Sequence, residues 1–315
     1  MRPMKFVRPG TTIRFMEQRI LAYMASALLI VVSVVAFAVQ GLNFGIDFTG
    51  GTLVEIGYPQ NVELDQVRGD LAAAGYDDAV VQHFGTATDV LIRIAPQPGV
   101  TQSELSTRVT DALRARADGQ LDLRRVEFVG PQVGEELAEQ GGLALLVALF
   151  GILIYVTLRF EYRFSVGAVI ALAHDVIVTL GFFSVLYLPF DLTILAALLA
   201  VIGYSLNDTI VIFDRVRENF RRVRKGTPED VINLSVNQTM SRTLLTSGTT
   251  LLVLFALLFL GGEVVRGFAL ALIVGIVVGT YSTIYVATAA ALALGVSRAD
   301  LMPVKKEGAE VDSRP

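Results

Sequence analysis

The sequence predicts a polytopic α-helical membrane protein with six transmembrane helices and one α+β domain between the first and second of them. Three observations predict it. The 315-residue chain is 53% hydrophobic and 18% charged, with a mean hydropathy of +0.58, too apolar for a soluble chain of this length. Six apolar runs approach the ~20 residues that cross ~30 Å of hydrocarbon. Between the first two runs, residues 41–140 switch to alternating strand and helix patterns.

The six runs are Ile20–Val39, Gly142–Leu158, Ser165–Leu188, Leu192–Phe213, Thr243–Leu260 and Phe268–Leu294. The first follows a basic leader, is too long for a signal-peptide core and lacks a small-residue cleavage site, so it is expected to stay as an anchor. The second and fifth are short and are expected to borrow flanking residues, which draws Arg242 towards the membrane. Basic residues set the orientation. They fall in the leader (Arg2, Lys5, Arg8, Arg14, Arg19), the second-to-third connection (Arg159, Arg163), the fourth-to-fifth connection (Arg215 to Lys225) and the tail (Arg298, Lys305, Lys306). The third-to-fourth turn has none, and the fifth-to-sixth has only Arg266. Both termini are therefore expected in the cytoplasm. The expected division is residues 1–40 for the N-terminus and first helix, 41–140 for the extracytoplasmic domain, 141–295 for helices 2–6 with a cytoplasmic loop at 214–241, and 296–315 for a cytoplasmic tail.

Within the outer segment, strands are expected at Gly51–Tyr58, Ala79–Phe84, Val90–Ala95 and Leu121–Phe128. A helix over Val62–Ala74 aligns Leu64, Val67 and Leu71. A second helix starts at a capping box, Thr101 with Glu104, and repeats Leu105, Val109, Ala112 and Leu113 at helical spacing. The order βαββαβ is the ferredoxin-like arrangement. Carboxylates such as Asp65, Asp70, Asp77 and Asp122 outnumber arginines there, which argues against nucleic acid as a partner.

Composition also bounds the chemistry. The chain has no cysteine and two histidines, His83 and His174, so disulfides, thiol nucleophiles and thiolate metal sites are excluded and a histidine-rich centre is not expected. No catalytic residue, metal or cofactor is expected, and the chain does not read as an enzyme.

Ionisable side chains inside spanning helices are costly to dehydrate, so each is a functional candidate. His174 and Asp175 lie mid-way along the third span, Asn207 and Asp208 on the fourth, and Arg242 opens the fifth, with Thr246, Thr249 and Thr250 following at helical spacing. A hydroxyl stripe beginning at a cation can hold water or relay protons, or it can join helices by hydrogen bonds. Burial and a neighbouring guanidinium pull a carboxyl's proton affinity in opposite directions, so an Asp–Arg pair can act as a proton gate. A potential of 100 mV supplies about 2.3 kcal/mol per charge, enough to bias two states separated by a few kcal/mol. In the sixth span Gly267, Ala271, Gly275, Gly279, Thr283, Ala287, Ala291 and Gly295 recur every fourth residue, a close-packing face on which Gly275 and Gly279 are expected to meet a neighbouring helix or a homologous unit. The basic, partly amphipathic segment Asp214–Lys225 reads either as a solvated topology-setting loop or as a contact with anionic headgroups.

Five motifs are specific. Gly45-Ile-Asp-Phe-Thr-Gly-Gly-Thr52, with Gly45, Asp47, Gly50 and Gly51, follows the first span, and Val129-Gly-Pro-Gln-Val-Gly134 precedes the second. Ala173-His-Asp175, Gly203 to Asn219 and Ser241-Arg-Thr-Leu-Leu-Thr-Ser247 lie in the spans and their connection. In this order and topology they resemble the SecD/SecF family, of the resistance-nodulation-division superfamily, over nearly the whole chain. One small outer domain and one six-helix unit match the smaller member of that family. The resemblance implies a subunit of the bacterial inner membrane that works with SecD, often with YajC, on the SecYEG channel, using the proton-motive force to promote late translocation of the exported preprotein. It also implies proton passage at Asp208 and Arg242. Three rivals are weighed beside it. A small-molecule exporter would need larger outer domains, and an intramembrane aspartyl protease would use Asp175 and Asp208 without its usual motif settings. A non-conducting structural subunit would use the same residues as packing.

Overall fold

The computed structural model describes residues 13–97, 100–116 and 121–297. The expected leader residues Arg2, Lys5 and Arg8 and tail residues Arg298, Lys305 and Lys306 lie outside them. A short 3₁₀ turn, Phe15–Gln18, runs into α1 (Arg19–Gln40). After a two-residue strand β1 (Asn43–Phe44) and the single-turn α2 (Ile46–Thr49) come β2 (Gly51–Gly57), α3 (Leu64–Ala72), β3 (Val80–Phe84), β4 (Thr86–Ile94), α4 (Gln102–Arg114) and β5 (Asp122–Val129). The remaining elements are α5 (Pro131–Arg159), α6 (Tyr162–Val185), β6 (Pro189–Phe190), α7 (Leu192–Arg222), α8 (Pro228–Leu260), α9 (Glu263–Ser282), one π turn (Thr283–Ala287) and α10 (Thr288–Ala293).

Among the described residues six helical stretches are long and apolar enough to cross a membrane: Phe15–Gln40, Pro131–Arg159, Tyr162–Val185, Leu192–Arg222, Pro228–Leu260 and Val265–Ala293. The two runs that looked short belong to helices of 29 and 33 residues whose first turns are polar. The α8 helix starts at Pro228, behind a capping box in which Thr227 and Asp230 satisfy each other's backbone donors. Ion pairs Arg215–Glu218 and Arg222–Glu218 support the end of α7. The expected loop 214–241 is therefore mostly helix, with only Val223–Thr227 between α7 and α8. The capping box expected at Thr101 does not form: Thr101 is the N-cap residue but makes no side-chain cap bond, and Glu104 pairs with Arg108 at 2.9 Å instead.

Sheet order in the domain is β3-β4-β2-β5, every pair antiparallel. Val54, Ile56, Val81, Val90, Ile92 and Ile94 on one face pack against Val67 and Leu71 of α3 and Leu105, Val109 and Leu113 of α4. Strand and helix periods thus bury the apolar sets that the sequence aligns.

The bundle is not uniform. Over their most apolar stretches α6, α7 and the last span are 56, 50 and 56% buried, against 17, 11 and 17% for the first span, α5 and α8. The first three form the centre, and the others present Leu28, Leu146, Phe150, Leu252 and Phe259 outwards, as helices facing lipid or a second protein do. Small residues let the central helices touch. A Cβ at Gly275 would fall inside Val201 of α7, and one at Gly279 would sit 3.1 Å from Ser205 Cβ. At Gly275 and Gly279 the small-residue seam of the sixth span is therefore occupied within the chain. The expectation that Gly275 and Gly279 meet a homologous unit is corrected on this point.

Candidate functional site

The motif after the first span forms a joint at the domain end of the bundle. Gly45 N donates to Phe190 O (2.8 Å), and β1 pairs in parallel with β6. Asp47 accepts from Leu192 N (3.0 Å), the first residue of α7, beside the N-cap Asp191. Gly50 has φ +67° and a Cβ there would stand 2.8 Å from Pro131 Cα, while Gly51 has φ +125° and would meet Ile94 O. Gly134 closes on Gly50 N from the other side. Only glycine satisfies both the backbone angle and the approach. The two glycine motifs are thus one contact, joining the domain to the starts of α5 and α7. Arg93 of β4 extends it, donating to Asn43 (3.0 Å), which donates to Tyr187 O (3.2 Å).

Deeper in the bundle, Asp208 projects from α7 towards α8 and is 8% exposed. Its Oδ1 accepts from Thr243 Oγ1 at 2.8 Å, and its Oδ2 is buried without a partner. Arg242 is exposed and makes no ion pair with Asp208 among the described residues. It instead lines an open cleft of about 260 Å³ with Asp214, Arg215, Glu218, Gln238 and Thr239. Thr239 lies one turn before Thr243, so the cleft ends a turn from the carboxyl. Asn207 is exposed. The hydroxyl stripe is also turned outwards. Thr246 bonds back to Arg242 O (3.1 Å) and Thr243 O (3.0 Å), and Thr249 and Thr250 bond likewise to carbonyls on their own helix. Such bonds satisfy the hydroxyls locally on their own helix. The polar face of α8 that enters the bundle is Thr239, Thr243 and Ser247, the last bonded to Thr280 (2.9 Å).

A second carboxyl is more enclosed. Asp175 on α6 is 0% exposed. Its Oδ2 accepts from Ser205 Oγ (2.5 Å) on α7 and Ser282 Oγ (2.7 Å) on α9, and its Oδ1 lies 3.0 Å from His174 Nδ1. His174 Nε2 is buried without a partner, and its ring lies 6.1 Å from that of Tyr281, which donates to Ala22 O (2.8 Å) on α1. Ser282 is the last residue before the π turn, an element whose extra residue per turn often marks functional positions. Ser205 and Asp208 are one turn apart on α7, about 4.5 Å of rise, yet Ser205 bonds Asp175 on α6 while the Asp208 carboxyl bonds Thr243 on α8. The two aspartates share no hydrogen-bond partner among the described residues, which is not the geometry of a catalytic dyad.

Sequence reasoning located Asp208, Arg242, His174 and Asp175 but missed Thr243, Ser205 and Ser282. Thr243 had one available signal: with Ser247 it falls at i, i+4, one hydroxyl above the other on the same face of α8.

Comparison with known proteins identifies the family. Residues 108–297 match the family model described as "Protein export membrane protein SecD/SecF, C-terminal", and residues 35–62 match the "SecD/SecF GG Motif". A protein translocase subunit SecF of Vibrio alginolyticus is 53% identical over 99% of this chain and 99% of its own length. One of Pseudomonas aeruginosa is 50% identical over 96% and 98%. The crystal structure of SecDF, a translocon-associated membrane protein from Thermus thermophilus, superposes with a TM-score of 0.82 at 40% identity, covering 93% of this chain and 40% of that one. SecDF in its super-membrane-facing form gives 0.68 over the same shares. With two family models spanning the joint and the bundle and near full-length identity to its relatives, this chain belongs to the SecD/SecF family of protein-export membrane proteins.

Proposed function

We propose that the chain is an accessory subunit of the Sec protein-export machinery that works with SecD and uses the proton-motive force to promote late preprotein translocation through SecYEG, often with YajC. The observation that carries the proton role is Asp208: a carboxyl buried between α7 and α8, with one oxygen held by Thr243 and the other buried without a partner among the described residues, one turn from a polar cleft that contains Arg242. A carboxyl so placed can take a proton at its open oxygen without breaking its existing bond. Arg242, exposed and unpaired with it, acts by swinging towards or away from the carboxyl and so altering its charge balance. Asn207 and Thr246 serve as packing or partner-facing residues. His174 and Asp175 form a second proton-binding centre, linked to the first through one turn of α7.

The orientation we propose has both termini in the cytoplasm of a bacterial inner-membrane protein and residues 41–140 outside, as an extracytoplasmic ferredoxin-like domain. The strand order β3-β4-β2-β5, with α3 and α4 on one face, supports that fold. Residues 141–295 form the remaining spans. The joint at Gly45–Gly51 and Gly134 transmits domain movement to α5 and α7.

Inner-membrane vesicles carrying Asp208→Asn protein test the reading. Asn keeps size and hydrogen bonding but cannot titrate, so the complex with SecD should be recovered intact while potential-driven export and proton flux are lost. Export at the wild-type rate would make Asp208 a packing residue and move the gate to His174 and Asp175.

A further inference from the structure

The charged end of α7 borders a second cleft, which shares Asp214 and Glu218 with that of Arg242. There Asp214, Arg217, Glu218, Arg221 and Arg222 of α7 and Arg159 at the end of α5 line a cleft of about 350 Å³. Both carboxylates are engaged: Asp214 by Arg159 at 2.9 Å, and Glu218 by Arg222 at 2.9 Å and Arg215 at 2.6 Å. Arg217 is different. Among the described residues its guanidinium makes no hydrogen bond or ion pair, and its Nε is buried without an acceptor. Buried donors are rarely left unsatisfied, because dehydration without a partner is costly. The lining has four guanidiniums and two carboxylates, an excess of two positive charges, so the missing acceptor is an anion.

Position identifies its source. Beside Arg159, Leu158 and Tyr162 are 83% and 74% exposed. On helices that span a membrane, these side chains face acyl chains and the headgroup boundary, which sets the cleft at headgroup depth. A planar guanidinium donates paired hydrogen bonds to phosphate oxygens, and excess positive charge at this depth favours a lipid with a net negative headgroup. We propose that this cleft binds the phosphate of an anionic phospholipid, with Arg217 as its principal donor and the acyl chains running along α5 past Leu158. The site rests on the six-span membrane reading and is independent of the export role.

The test is native mass spectrometry of the full-length protein titrated separately with phosphatidylglycerol, phosphatidylcholine and inorganic phosphate. Wild-type protein should retain phosphatidylglycerol about tenfold more tightly than phosphatidylcholine, and Arg217→Gln should remove about that factor, ~1.4 kcal/mol. Arg124→Gln, a change on the outer domain, should leave retention unaltered. Equal retention of both lipids by wild-type protein would overturn the proposal, even if the variant fails to fold, and would leave an acidic protein segment as the occupant. Inorganic phosphate displacing phosphatidylglycerol at equal concentration would also overturn it, making the cleft a soluble-anion site. Undiminished retention by folded Arg217→Gln protein would exclude Arg217. Because lipid retention is the readout, a failure of the export reading leaves these outcomes unchanged.

Discussion

Replacing Thr243 by Val isolates the single contact that holds Asp208. The two side chains have similar volume, so packing against α7 is preserved while the hydroxyl on Asp208 Oδ1, 2.8 Å away and the only one among the described residues, is removed. The other oxygen already lacks a partner, so the variant leaves a carboxyl 8% exposed with no hydrogen bond from the protein. A hydrogen bond to a charged group contributes about 1.5–3 kcal/mol, and leaving a buried acceptor unsatisfied costs a similar amount. The expected loss of stability is therefore ~2 kcal/mol, accompanied by loss of potential-driven export. Thr243→Ser keeps the donor and should restore both. Thermal unfolding of the purified protein measures the first quantity, and preprotein export into energised vesicles the second. If Thr243→Val protein unfolds at the wild-type temperature and exports at the wild-type rate, the contact neither stabilises the bundle nor tunes the carboxyl, and the role given to Asp208 fails with it.

Gly275→Leu should prevent the α7–α9 contact, since even a Cβ there overlaps Val201; overpacking costs about 1–3 kcal/mol or more, so little folded protein should be recovered even without SecD, and normal yield of a correctly folded chain would show that the seam is not the α7–α9 contact. Burial, reinforced by the Asp70 carboxylate, pushes the Tyr58 phenol up to about 12. Because the fold favours the neutral phenol, its contribution to stability is complete below the ordinary value near 10 and is lost as pH rises from 10 through 12. Phenolate absorbance of wild-type protein minus that of Tyr58→Phe should show the displaced titration, and a midpoint near 10 would refute the buried placement.

Much of the architecture was legible from local properties of the chain. Hydropathy reports membrane spans because the bilayer requires length and apolarity whatever the packing. The domain elements follow from periods of two and 3.6 that align Val54 with Ile56, and Val67 with Leu71, before any tertiary contact forms. Asp208, Asp175 and Arg242 stand out because charge is rare inside such spans. Helix extent was less legible. The polar first turns of α5 and α8 carry no membrane signal, and ion pairs and the Thr227 cap continue helix where composition suggests loop.

Partnership was decided by tertiary structure. A helical period says which residues share a face but not which neighbour that face meets. The spacing of Thr246, Thr249 and Thr250 therefore does not say whether that stripe faces the bundle, which Thr243 and Ser247 enter instead, and a cation at similar depth to Asp208 need not pair with it, since Arg242 lines the cleft. Ser205 and Ser282 cost little wherever they sit on a helix, so nothing marks them in the sequence; they become hydrogen-bond donors to Asp175 only because α7 and α9 close around α6. The glycines at 275 and 279 announce close approach by their size alone, but the identity of the approaching surface, Val201 and Ser205 of the same chain, is a property of the packed bundle.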